Sequence, residues 1–244
     1  MTMTTENSDV PTRAQLKGGE ATRAKILRHA ERLFGDHGLD GATVRQIAID
    51  AGVPVALVAY HFGSKEGLYR AIFEFRCPMI IDERKAGLRL ADMETDLERK
   101  LELVVKALLV PYLHMRSTDR NSAFARVLAR EVADPKSHQR GIIAGIFDPI
   151  AHSLMDGLIA ALPGRSLEQI NWGYQFMLGA MVFIMADTGR ISRLSRGLCD
   201  PEDEVTTTAH IVSLAKAALT HSTVPDTLPA TDPNSLKTNS GGTP

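Results

Sequence analysis

Two groups of residues in this 244-residue chain have the types and spacing to meet a partner. The first lies in Thr43–Leu68, TVRQIAIDAGVPVALVAYHFGSKEGL. Arg45 carries a guanidinium that can donate two hydrogen bonds to a guanine edge, and Val55, Ala56 and Leu57 have the apolar character that meets thymine methyls. With Val58 and Phe62 four apart and turned inward, Ala59, Tyr60 and His61 join them outside or at the margins. A short helix with small apolar groups, an aromatic ring and a histidine on its outer side is odd for plain solvent. It suits a helix that lies in the DNA major groove. The second group is aromatic and sulfur-rich: Tyr112, Met115, Phe124, Leu128, Phe147, Met155, Trp172, Phe176 and Met181. Such residues can line an apolar ligand pocket, or at helical spacing be plain core. His114, Arg130, Glu131, His152 and Gln175 are candidates for a polar handle on that ligand.

Enzyme chemistry is not written in the chain. There is no phosphate-binding loop, HExxH, GxSxG or dinucleotide glycine fingerprint. The eight histidines are scattered without metal-site spacing. No catalytic residue, metal or cofactor is therefore expected. Cys77 and Cys199 lie far apart, which is neither a disulfide framework nor a zinc pattern and fits a reducing cytoplasm. The N-terminal residues lack an apolar signal core, and no uninterrupted apolar run reaches the ~20 residues of a membrane span. A net charge of −1 is not that of a generally basic nucleic-acid binder. DNA contact must then rest on local cations, here Arg13, Lys17, Arg23, Lys25, Arg28, Arg32, Arg45 and Lys65, with acids interspersed.

The elements that must position these residues read as all-α. A first helix over about 21–37 has the inward stripe Ile26, Leu27, Ala30, Leu33 and Phe34, and Gly38 ends it. Thr43 and Gln46 form a capping box for a second helix, with Val44, Ile47, Ala48 and Ala51 on one face. Gly52 allows a sharp turn, and Pro54 suits the first turn of a third helix. Ser64 caps a fourth helix carrying Leu68, Tyr69, Ile72, Phe73 and Phe75. Further helices are expected over about 96–117, with Pro111 kinking or breaking it, over 121–132, over 137–162 with a bend at Pro149, and over 166–190. Asp200 and Pro201 open a last helix that ends near His221. Residues 222–244, rich in Thr, Pro, Ser and Gly, are expected to be a disordered tail, and residues 1–19 a flexible arm.

The stretch 169–187 is apolar on every side, and a helix apolar all round must be buried all round. One face can cover the core while the other, with Leu178, Val182 and Met185, meets a second subunit. The alternative is a central helix of a monomeric bundle. Gly173 and Gly179 would permit close backbone approach.

Residues 21–75 resemble the N-terminal DNA-binding domain of the TetR family of bacterial transcriptional regulators. The resemblance is carried by Arg23, Ile26, Ala30, Phe34, Gly38, Thr43, Ile47-Ala48, Ala51-Gly52-Val53, His61-Phe62, Lys65 and Leu68. The family often has Leu-Tyr, a variable residue, then His-Phe. Here Tyr60 sits one place later, which points it at the groove floor or an adjacent phosphate. The resemblance implies phosphate contacts at Thr43, His61 and Lys65, and dimerisation through the last two long helices. INWGYQFMLGAMVF is similar to one helix of a fatty-acid-responsive branch. The whole then divides into an arm (1–19), a helix-turn-helix domain (20–66), a ligand-binding and dimerisation domain (67–221) and a tail (222–244). The expected function is that of a cytoplasmic homodimeric regulator, a repressor released from palindromic operator DNA by a small apolar effector. Two alternatives are a helical apolar-ligand carrier or enzyme whose N-terminal helices are only structural, and an architectural DNA-binding protein that senses nothing.

Overall fold

The computed structural model describes residues 13–118, 123–186 and 188–222. Among them every regular element is a helix: α1 Arg13–Gly41, α2 Val44–Asp50, α3 Val55–Phe62, α4 Lys65–Met93, α5 Leu97–Thr118, α6 Ala123–Ala133, α7 Ser137–Arg140, α8 Ile142–Ala161, α9 Leu167–Ala186, α10 Arg190–Leu194 and α11 Glu204–His221. Residues 1–12 of the expected arm, the expected tail from 223, and Asn121 at the expected start of α6 lie outside the described residues.

Local chemistry sets the boundaries of the small N-terminal helices. α1 breaks at Gly38, whose φ of 73° lies in the left-handed region. Thr43 caps α2 by accepting the Gln46 amide hydrogen at 3.2 Å. The capping box is only half formed, because the Gln46 side chain donates instead to Asp50 Oδ1 at 2.6 Å. Gly52 turns the chain at φ 60°, a conformation costly for any residue with a Cβ. Pro54 stands one place before α3, at its N-cap, and Ser64 caps α4 through the Gly67 amide. Around these turns Ile26, Ala30, Phe34, Ile47, Ala48, Ala51, Val58 and Leu68 close a small core.

That core runs without interruption into the body. α4 packs on α1, α5 and α8, while α6 packs on both α1 and α9. A chain of edge-on rings joins the two regions: Phe34–Tyr69 at 5.1 Å between centroids, Tyr69–Phe73 at 5.2 Å and Phe73–Phe124 at 5.5 Å. A Cβ on Gly35 would stand 2.8 Å from the Ala123 carbonyl oxygen, so a glycine there lets α1 and α6 touch. α8 is the one described helix long and apolar enough to cross a membrane by length and composition. It packs against α4 and α5, and it carries Asp148 and Asp156.

Several boundaries differ from the sequence reading. α5 runs through Pro111 and α8 through Pro149, and neither helix is broken. The helix expected from 137 is interrupted at Gly141, φ 61°, which ends α7 and starts α8. α9 stops at Ala186 and a short α10 follows. Asp203, not Asp200, caps α11, accepting the Thr206 amide at 3.1 Å. Asp200 accepts the Glu202 amide in the turn before it. Both aspartates obey the same capping preference, and the pattern alone does not choose between them.

Candidate nucleic-acid interface

α3 is held by one face and presents the other. Val58 is fully buried, and Phe62 is half-buried beneath the Arg23 guanidinium at 5.3 Å. Val55, Ala56, Leu57, Ala59 and Tyr60 are exposed, Tyr60 to 81%. The His61 ring is half-buried, 5.2 Å from Tyr60 and 6.0 Å from Phe62. Arg45 is exposed at the start of α2 and makes no hydrogen bond or ion pair among the described residues. Thr43 is exposed while it caps α2. Lys65 Nζ donates to the Ala42 carbonyl at 3.4 Å, so Lys65 and Thr43 stand side by side. The sequence-derived set thus gathers on the helix-turn-helix and the start of α4. Ile49 of α2 joins it as an exposed apolar side chain that the helical pattern of Val44, Ile47 and Ala51 had left aside.

Cations are concentrated behind this surface. Lys25 of α1 brings its Nζ to the Gly52 turn, 3.6 Å from where a Cβ would sit. The His29 pKa is lowered, first by burial and then by Arg32, with Lys25 and Arg28 adding to the effect while Asp50 opposes it. Lys25, Arg28 and Arg32 thus stand together near His29 in a chain whose net charge is −1, and local cations of this kind suit a DNA contact.

The second group of candidate residues divides in two. Tyr112, Met115, Phe124, Leu128, Phe147 and Met181 are buried in the body, and Met155 is half-buried. Trp172 and Phe176 are exposed to 67% and 55%, on the outer face of α9 away from the interior. Helical periodicity gave their shared face but not its direction. Met185 is buried within the subunit's own core beside Met177 and Met181, while Leu178 and Val182 are half-buried. The outermost stripe of α9 is Trp172, Phe176, Gly179 and Phe183. Gly173 packs inward against Leu219 of α11, whereas a Cβ on Gly179 would meet nothing within 4 Å.

None of the polar handles proposed from sequence faces the interior freely. Arg130 donates to the carbonyls of Gly35 and Asp36 at 3.0 and 3.2 Å. Glu131 is buried and paired with Arg140 at 2.8 Å. His114, His152 and Gln175 are exposed. Besides the ion-paired Glu31 and Glu131, the interior holds Arg84 of α4, 1% exposed. Its sequence position, inside a charged run of α4, gave no sign of burial.

A three-helix head with a helix-turn-helix, fused through α4 to a helical body, is an architecture of helix-turn-helix DNA-binding proteins. A model described as bacterial regulatory proteins, tetR family, matches residues 26–72, and one described as the tetracyclin repressor-like C-terminal domain matches residues 106–218. The chain belongs to the TetR family of transcriptional regulators. It is similar to the HTH-type transcriptional regulatory protein RaaS of Mycobacterium tuberculosis, 37% identical over 52% of this chain and 59% of that protein. The HTH-type transcriptional dual regulator CecR of Shigella flexneri is 28% identical over 60% of this chain and 66% of its own length. The match therefore spans less than two thirds of either relative. The transcriptional repressor AcnR of Corynebacterium efficiens is 28% identical over 62% of this chain and 87% of AcnR. In fold the chain resembles the fatty acid degradation regulator FadR of Bacillus halodurans, with a TM-score of 0.57 at 18% identity over 82% of this chain and 97% of that one. It also resembles FadR of Bacillus subtilis, solved in complex with stearoyl-CoA, with a TM-score of 0.54 at 15% identity over 80% and 98%.

Proposed function

We propose that this chain is a cytoplasmic homodimeric regulator that represses transcription by binding a palindromic operator and leaves it when a small, mainly apolar effector enters the body. The carrying observation is α3, whose exposed face holds Val55, Ala56, Leu57 and an 81% exposed Tyr60 while Val58 alone is fully sunk. An apolar, aromatic face is costly in water and gains contacts against base edges and thymine methyls. Residues 20–66 act as the reading head, with Arg45 at a base edge and Thr43, Tyr60, His61 and Lys65 on or near phosphates. Residues 67–221 hold the effector and the second subunit. Tyr112, Phe124, Phe147 and Met181 are the interior residues that support an apolar effector site. AcnR, a repressor, and FadR, solved with stearoyl-CoA, are relatives in sequence and in fold whose names fit this reading.

Control follows from geometry. Two recognition helices fit adjacent major-groove faces when they stand about 34 Å apart. An effector that binds better to the body of a mismatched dimer shifts the population towards it. α4 starts in the head and runs through the body, and α6 grips α1, so a rearranged body carries the head with it. Selection of bound duplexes from a random pool tests the reading. The expected product is a palindrome whose half-sites lie one turn apart and whose affinity falls steeply with salt. Recovery of no shared sequence would overturn it.

A further inference from the structure

We propose that Arg84 anchors the acid group of the effector, so that the molecule sensed is a monoanionic carboxylate on an otherwise apolar frame. The inference rests on the ligand-responsive reading above and names the chemistry of its ligand. Arg84 is among the largest fully buried side chains of the protein. Its Nη2 donates to the Leu108 carbonyl at 3.2 Å, and its buried Nε has no partner. Its guanidinium carbon lies 4.6 Å from the Tyr112 ring centroid and 5.8 Å from that of Phe147. No described carboxylate pairs with it. The other buried charges are matched: Glu31 with Arg76 at 2.7 Å, and Glu131 with Arg140.

The neighbouring Cys77, Tyr112 and Tyr174 do not serve as its counterion. Burial pushes the Cys77 thiol and the Tyr112 hydroxyl up to about 12, so both are neutral at physiological pH, although Arg84 pulls each downward. The Tyr174 hydroxyl is raised in the same way. Two ring faces stabilise a cation in part, but a buried charge without a counterion is strongly disfavoured. A carboxylate offers two acceptor oxygens to the fork of the guanidinium, including the idle Nε–H. One cation balances one negative charge. A phosphate dianion would leave a surplus charge in the same apolar surroundings. Tyr112 and Phe147, which flank Arg84, belong to the aromatic set that suits the rest of such a molecule.

The test uses the full-length protein with sodium octanoate and 1-octanol, which share a chain length and differ in charge, and repeats the pair from four to sixteen carbons. Octanoate, or the best-fitting length, should bind at least tenfold more tightly than the matching alcohol and raise Tm more. In Arg84→Met the two should bind within twofold of each other, with the alcohol as before, and the ligand-free variant should melt no lower than wild type. Arg84→Lys should keep a weakened preference for the acid, and it decides the matter if the Met variant fails to fold. Equal binding of acid and alcohol to wild type at every length, or an acid preference that survives in Arg84→Met, overturns the anchor. If acid and alcohol release operator DNA equally, the ligand response stands and the anchor falls. If the acid binds through Arg84 but leaves DNA binding unchanged, the anchor stands and the regulatory reading falls.

Discussion

α3 and α9 both hold aromatic and aliphatic side chains out in water, and the two helices differ in what surrounds that anomaly. On α3 the exposed groups are the aliphatic Val55, Ala56, Leu57 and Ala59 with the ring of Tyr60, and Arg23, Lys25, Arg45 and Lys65 stand on the same head. On α9 the exposed groups are large, Trp172, Phe176 and Phe183, and the only charged residue of the whole helix is Glu168. An apolar surface ringed by cations matches a polyanion with apolar base edges. An apolar surface with aromatics, a glycine open to the outside at Gly179 and almost no charge matches another protein surface. The same departure from ordinary surface composition thus points to two different partners, and the neighbouring charge decides which.

The largest effect should come from placing a charge on the uncharged surface. Phe183→Arg alters a side chain that is 66% exposed in the single subunit, so the subunit should still fold. If α9 forms the dimer face, the arginine is buried unpaired there. An anchoring aromatic of this kind is worth about 2 kcal/mol or more, and the lost packing and buried charge add to it. Light scattering should show monomers at micromolar concentration, and operator binding should be lost with them. Met181→Arg is a different experiment, because Met181 is buried inside the subunit and its replacement should unfold the chain. A Phe183→Arg protein that stays dimeric removes α9 as the interface and the comparison with it.

On the cationic side, Arg45→Ala should cost about 1–3 kcal/mol at the preferred operator and relax specificity at one position. Lys65→Ala should weaken all sequences evenly and lower the salt slope by about one. Fluorescence anisotropy over a salt series separates the two. If neither substitution weakens operator binding, Arg45 of α2 and Lys65 of α4 have no part in the DNA contact. Thr43→Ala should be smaller, because the hydroxyl demonstrably caps α2. Losing a cap costs about 1 kcal/mol, read as a lower Tm, and Thr43→Ser should restore it. Weakened DNA binding at unchanged Tm would instead assign Thr43 to the phosphate backbone alone.

The head was more legible in the sequence than the body because its signals are local. Thr43, Ser64, Gly38 and Gly52 each act within four residues of themselves, and the described helix ends fall where they direct. Even there, Gln46 found a nearer partner in Asp50 than the box required. In the body the deciding facts are tertiary. Periodicity placed Trp172 and Phe176 on one stripe of α9, but whether that stripe faces α6 or solvent depends on how α9 packs. Arg84 reads as one more charge in IIDERKAGLR, and only the closure of α5 and α8 over α4 buries it. Gly141 and Asp203 show the intermediate case: the residue types that break and cap helices were visible, but several candidates stood close together.

The smallest expected effect on stability tests the link between the two regions. Arg126 of α6 pairs with Asp36 near the end of α1 at 2.8 Å, beside the Arg130 contacts to the Gly35 and Asp36 carbonyls. These side chains are well exposed, and such an ion pair contributes about 0.2–1 kcal/mol, less at high salt. Arg126→Ala should therefore lower Tm only slightly and leave operator affinity without effector nearly unchanged. The pair does, however, tie a body helix to the head. Its removal should reduce the ratio of operator Kd with and without saturating effector, which measures the coupling free energy directly. The aromatic chain from Phe34 through Tyr69 and Phe73 to Phe124 crosses the same boundary and is fully buried. If the ratio is unaltered in Arg126→Ala but falls in Phe73→Leu, coupling passes through that packed core and the ionic clamp only steadies it. If neither change moves the ratio, α4 alone carries the motion and the contact between α1 and α6 serves stability.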